Sequence, residues 1–222
     1  QLGNLDSLQA SLGNQALILK ARGDLDGAMA LLKEVERICR QLGNLDGLQT
    51  SLGNQALILE ARGDLDGAMA LLRDVERICR QLGNLDSLST NLGNQAVILQ
   101  ARGDLDGAMA LLKEQERICR QLGNLDGLSA SLANQGVILW VRWDLDGAMA
   151  LLKEQEGICR QLGNLDGLEV SLGSQALILK DRGDLDGLPW LGPDEEVRER
   201  WPECRLLLGI GLMTDARVRW LA

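Results

Sequence analysis

The sequence predicts an all-α solenoid built from antiparallel helix pairs. Three observations predict it. First, the chain repeats every 40 residues: units 1–40, 41–80, 81–120 and 121–160, then a partial unit 161–187. A period of this length marks stacked-repeat architectures, in which each unit packs on its neighbours. Second, apolar residues recur at helical spacing within each half of the unit. Third, two similar short turns lie 20 residues apart in every unit. The first two units differ only at unit positions 7, 10, 20, 33 and 34.

The second unit shows why each element forms. Gly43-Asn44-Leu45-Asp46 and Gly63-Asp64-Leu65-Asp66 use one device twice. Glycine suits the left-handed residue that ends a helix. The Asn or Asp after it caps the next helix by accepting from its free N–H groups. The second acid complements the new helix dipole. Connections this short force antiparallel neighbours. Helix A is predicted from Leu45 to Arg62, with Leu48, Leu52, Gln55, Ala56 and Leu59 recurring on it. Helix B is predicted from Leu65 to Leu82, with Ala68, Leu71, Leu72, Val75, Ile78 and Cys79. Ala56 and Ala68 let the two backbones approach. One pair cannot cover both apolar faces, whereas a stack does.

Composition narrows the function. The chain has no Phe, Tyr or His, so its core is aliphatic, which favours close helix packing over a sheet. A net charge of −9 argues against nucleic acid, whose phosphates attract a basic stripe, and against anionic membrane surfaces. No apolar run approaches the ~20 residues of a membrane span, and no signal peptide is visible. Cys39, Cys79, Cys119 and Cys159 share one unit position. Stacking separates them by about 10 Å or more, beyond disulfide reach. They are therefore expected to be free thiols, with a cytoplasmic location. With no His and no CxxC, neither a metal site nor a cofactor is expected, and no nucleophile–base pair suggests an enzyme.

The unit is similar to the tetratricopeptide repeat, in the 40-residue variety common in bacterial regulatory proteins. Ser51, Leu52 and Asn54, then Gly63, Asp64 and Ala68, then Leu82, Gly83 and Asn84 carry the resemblance, which covers residues 1–187. Departures are Gln55 where the family has Leu, Ala56 where it often has Gly, leucines at its aromatic positions, and Gln115 and Gln155 where small or apolar residues are usual. The resemblance implies a right-handed superhelix whose helices A line a concave groove for a peptide or a partner helix. It also raises the prospect of a regulatory arm within a larger signalling protein.

Candidate binding residues follow from that resemblance and from where the units differ. Asn14, Asn54, Asn94 and Asn134 form a ladder, replaced by Ser174 in the last unit. An amide both donates and accepts, so it can pair with a peptide main chain; the other reading is an inter-helix bond that fixes repeat geometry. Position 20 varies most: Lys20, Glu60, Gln100, Trp140 and Lys180. Positions 9, 13, 16 and 20 share one helical stripe. The changes either tune a ligand or are drift at exposed sites. In the fourth unit Trp140 stands at position 20 and Trp143 replaces the turn glycine, making either a binding hot spot or packing for a cap. End-to-end stacking into a homo-oligomer is the competing function.

Other motifs have structural readings. Arg-Gly-Asp at 22–24, 62–64, 102–104 and 182–184 spans a helix end, a turn and a cap. Asp24-Leu25-Asp26-Gly27 lacks the remaining ligands of a calcium loop. After Gly187 the pattern stops. Pro189 is unsuited to a helix interior, and residues 188–222 are a divergent segment. Either this segment forms helices over 195–201 and 203–213, with Leu206, Leu207, Leu208, Ile210, Leu212 and Trp220 available to cap the array, or it is a poorly ordered stretch or a degenerate repeat.

Overall fold

The computed structural model describes residues 2–184. The divergent segment, with its expected helices, cap and Cys204, lies outside the described residues. Among those described there are nine helices and no strand: α1 (Leu2–Ala21), α2 (Leu25–Leu42), α3 (Leu45–Ala61), α4 (Leu65–Leu82), α5 (Leu85–Ala101), α6 (Leu105–Leu122), α7 (Leu125–Val141), α8 (Leu145–Leu162) and α9 (Leu165–Asp181). Odd-numbered helices are helices A and even-numbered ones helices B. The chain divides into two compact units, Gln1–Ile138 and a second from Leu139 onward.

The expected stop-and-cap device forms at both turns. At the B-to-A turn Gly43 takes φ 66°, the left-handed geometry that closes a helix. The Asn44 N–H then donates to the Cys39 carbonyl at 2.9 Å. Asn44 Oδ1 accepts from the Gly47 N–H at 2.9 Å, and at the A-to-B turn Asp64 accepts from Gly67 in the same way. Helix A ends at Ala61, with Arg62 as its capping residue.

In the first unit, successive helices from α1 to α6 pack on one another. The seam between repeats is aliphatic, as composition required. Val35, Cys39, Leu48, Leu52, Val75, Cys79, Leu88, Leu92 and Ile118 make one continuous buried cluster. In the second unit, α8 packs on α9. Ala148, Met149, Leu152, Ile178 and Leu179 form its main buried cluster.

Polar bonds register the seam. Ser51 Oγ donates to the Leu32 carbonyl at 2.8 Å, and Gln55 Nε2 donates to Glu36 Oε2 at 2.9 Å. Glu36 in turn pairs with Arg40. The arrangement recurs from Gln95 to Glu76, from Gln135 to Glu116 and, within the second unit, from Gln175 to Glu156. Gln55, polar where the resembling family carries Leu, is thus buried against a carboxylate of the preceding repeat.

Candidate binding groove

Two cavities of the first unit lie one repeat apart on one face. The first, about 360 Å³, opens between α1 and α3, with Leu32 and Val35 of α2 among its walls. Gln9, Ala10, Gly13, Asn14 and Leu17 line it from α1; Thr50, Ser51 and Asn54 line it from α3. The second has the same volume and opens between α3 and α5, with Leu72 and Val75 of α4 in the corresponding place. Thr50, Gly53, Asn54 and Leu57 face Thr90, Asn91 and Asn94 there. Both have apolar floors and amide-rich walls. Their charged lining residues are acidic, Asp46 in one and Asp86 in the other.

The sequence-predicted residues are distributed unevenly over this surface. Asn14 and Asn54 line the first cavity, and Asn54 and Asn94 line the second. Asn54 Nδ2 donates to the Thr50 carbonyl one turn back at 3.1 Å, which leaves its Oδ1 and its second N–H for a ligand. Asn134 is half-buried, and its main-chain carbonyl accepts from Gln100 Nε2 at 3.3 Å. Lys20, Glu60 and Gln100 are half-buried and line neither cavity. They stand three residues beyond positions 17, 57 and 97, on the adjoining part of the same helix side.

In the second unit Trp140 Nε1 donates to Asp181 Oδ2 at 2.7 Å, and its ring packs with the buried cluster of α8 and α9. Lys180 is exposed. Trp143 is 70% exposed and holds φ 61°, a conformation its sister turns reserve for glycine.

Contrary to expectation, positions 9, 13, 16 and 20 do not form a single groove-facing stripe. Ala56, at position 16, is 1% exposed in the core, because α4 packs against that side through Ala68. Each cavity is instead lined by positions 9, 10, 13, 14 and 17 of one helix A and by positions 6, 7, 10, 11 and 14 of the next. Asn91 also lines the groove, and sequence reasoning passed over it. Its signal is a single exception in a constant column: position 11 reads Ser11, Ser51, Asn91, Ser131 and Ser171.

The remaining sequence motifs have structural partners. Arg62 pairs with Asp26, Arg102 with Asp66 and Arg182 with Asp146, so the arginine of the Arg-Gly-Asp triplet ties one turn to the turn of the preceding repeat. The aspartate of the triplet is a helix cap. Cys39, Cys79 and Cys119 are buried free thiols, and Cys159 is buried at the same unit position without a disulfide. Burial pushes the thiols of Cys39, Cys79 and Cys119 up, which suppresses the reactive thiolate.

The family model for the tetratricopeptide repeat matches residues 9–34, 49–74 and 92–114, once in each of the first three units. Those three stretches match the tetratricopeptide repeat. Solved structures of the same architecture agree. BtubC from P. vanneervenii is 18% identical, with a TM-score of 0.76 over 93% of this chain and 83% of that one. A putative kinesin light chain from Podospora anserina with nearly identical tetratricopeptide-like repeats is 18% identical, with a TM-score of 0.66 over 95% and 99%. A Rap protein complexed with competence and sporulation factor is 14% identical, with a TM-score of 0.70 over 93% of this chain and 60% of that one. At such identities the likeness speaks to fold. No curated protein matches the chain by sequence. Tetratricopeptide arrays are interaction scaffolds that bind along an extended surface. No described helix is long and apolar enough to cross a membrane.

Proposed function

We propose that the protein is an interaction scaffold whose groove over α1, α3 and α5 takes an extended peptide segment. One observation carries this reading: two cavities of equal volume recur one repeat apart, each walled by members of the asparagine ladder. An extended chain presents donors and acceptors at regular spacing, and side-chain amides match both. The apolar floors at Leu32, Val35, Leu72 and Val75 offer burial to alternate side chains, which point to one side of an extended strand. Lys20, Glu60 and Gln100, changing from cation to anion to neutral along the adjoining face, supply a gradient for selecting among peptides. The similarly folded Rap protein was crystallised with competence and sporulation factor, which supports a ligand-binding role for the array and fits a regulatory arm of a cytoplasmic signalling protein.

The test is selection of a randomised 12-residue peptide library on the wild-type protein. Enriched peptides should lose at least tenfold in affinity for the Asn54→Ala/Asn94→Ala variant. Equal binding to both forms, or no enrichment at all, overturns the groove reading.

A second reading rests on the open face of α1, where Leu8 is 42% and Ile18 52% exposed. Covering that face against another copy gives a homo-oligomer. Sedimentation across a hundredfold concentration range separates the two, since a simple binding module stays monomeric.

A further inference from the structure

Three of the four B-to-A junctions are closed by the same bond. Ser51, Ser131 and Ser171 each donate through Oγ to the carbonyl of Leu32, Leu112 and Leu152, every one at 2.8 Å. The junction between α4 and α5 departs from this pattern, because Asn91 occupies the serine position. Asn91 is 3% exposed. Its Oδ1 accepts from Gln95 Nε2 at 2.7 Å, but its Nδ2 has no hydrogen-bond partner. A buried donor without an acceptor is destabilising, and serine would remove the defect at once.

Asn91 is one of the residues that line the second cavity, beside Asn54, Thr90 and Asn94. Leu72, the residue whose carbonyl the sister serine would reach, belongs to it as well. The lining contains one charged residue, Asp86, and no lysine or arginine. One repeat earlier the equivalent cavity holds Ser51, whose hydroxyl is already engaged with Leu32. The two cavities are therefore alike in size and floor and unlike in chemistry: the second carries a donor in want of an acceptor.

We infer that the cavity between α3 and α5 is a dedicated subsite for a basic extended peptide, in which a main-chain carbonyl of the ligand accepts from Asn91 Nδ2 while a Lys or Arg side chain approaches Asp86. This rests on the groove reading above and narrows it to one subsite and one ligand charge. A carbonyl is the fitting partner because the free group only donates. A cationic side chain fits because the carboxylate has no competing cation in the lining, and the chain's negative charge draws in a basic ligand.

The probe is an acetylated and amidated nonapeptide of alternating lysine and threonine, with its glutamate-threonine counterpart as control. Titrating the basic peptide into the wild-type protein should shift the side-chain amide resonances of Asn91, and the acidic peptide should not. Asn91→Ser should raise the melting temperature, by restoring the sister bond to Leu72, and weaken the basic peptide at least fivefold. Opposite movements of stability and affinity are the signature, because a merely structural asparagine would not lose affinity when replaced by its better-bonded sister. Asp86→Asn should remove the preference for the basic peptide. If Asn54→Ala/Asn94→Ala abolishes binding while Asn91→Ser leaves affinity unchanged, the subsite inference is overturned and the groove reading stands. If the basic peptide fails to bind the wild-type protein, the subsite inference is overturned directly, and the library selection decides the groove separately.

Discussion

Helices α1 and α3 have almost the same sequence and opposite environments. Over unit positions 5–21 they differ only at positions 7, 10 and 20. Yet Ile18 is 52% exposed and Ile58 0%, and Leu8 is 42% exposed against 6% for Leu48. Ser11 is exposed, whereas Ser51 bonds the Leu32 carbonyl. Gln15 turns back to its own Ser11 at 3.2 Å, while Gln55 reaches Glu36. The difference is made by the preceding repeat, whose α2 lies behind α3. A repeat of this kind is not a stable object that happens to be stacked. Its apolar face, its hydroxyl and its amide are all satisfied by the repeat before it. Stability resides in nearest-neighbour interfaces.

The contrast is broken most directly at the position where burial differs most. Ile58→Ala should cost about 3 kcal/mol, the loss expected for emptying a fully buried isoleucine site. Ile18→Ala, the same change at the same unit position, should cost under ~1 kcal/mol, since half the side chain already meets water. Urea denaturation of both variants reads the difference. Equal losses would show that α1 is covered in solution and that the two environments are alike. The serine pair gives a smaller contrast. Ser51→Ala removes a buried bond and should cost about 1 kcal/mol; Ser11→Ala should be neutral within error. A measurable loss at Ser11 would again place a partner over α1.

The same two helices show how far the sequence alone can be read. The 40-residue period, the glycine-Asx turns and the aliphatic periodicity specify local chemistry, so helix ends fall within a residue of the expected ones, as at Ala61 and Arg62. Facing is less legible. Positions 9 and 16 are seven apart, and so are 10 and 17. Both pairs are legitimate helical stripes, and only the placement of α4 against Ala56 decides which one is core. The asparagine ladder is legible as a column and does line the cavities at Asn14, Asn54 and Asn94. Gln55 is not legible as a bonded residue, because its carboxylate partner lies 19 residues earlier in a different repeat. Trp140 donates to Asp181, 41 residues on, a partner that no spacing within its own unit points to.

The smallest effect sharpens the same contrast with acid. Glu156 is the carboxylate that receives Gln175 in the second unit, whereas Gln15 of α1 bonds its own Ser11. Burial pushes the Glu156 carboxyl up, but hydrogen bonds from Gln175 and Arg160 and the charges of Arg160 and Lys153 outweigh it, leaving it below the ordinary range. A carboxylate lowered by folding binds protons less readily in the native state than in the unfolded chain. Its contribution is therefore complete above the unfolded value of about 4.3 and disappears as pH falls through the lower native value. Gln175→Leu should accordingly reduce the stability difference between pH 7 and pH 3, by less than ~1 kcal/mol. Gln15→Leu should leave that difference untouched, because its partner is a hydroxyl that carries no charge at either pH. Thermal melts of the two variants at both pH values decide the matter. An equal change in both would mean that the covered and the bare amide feel the same field, and the nearest-neighbour account of this array would lose its electrostatic half.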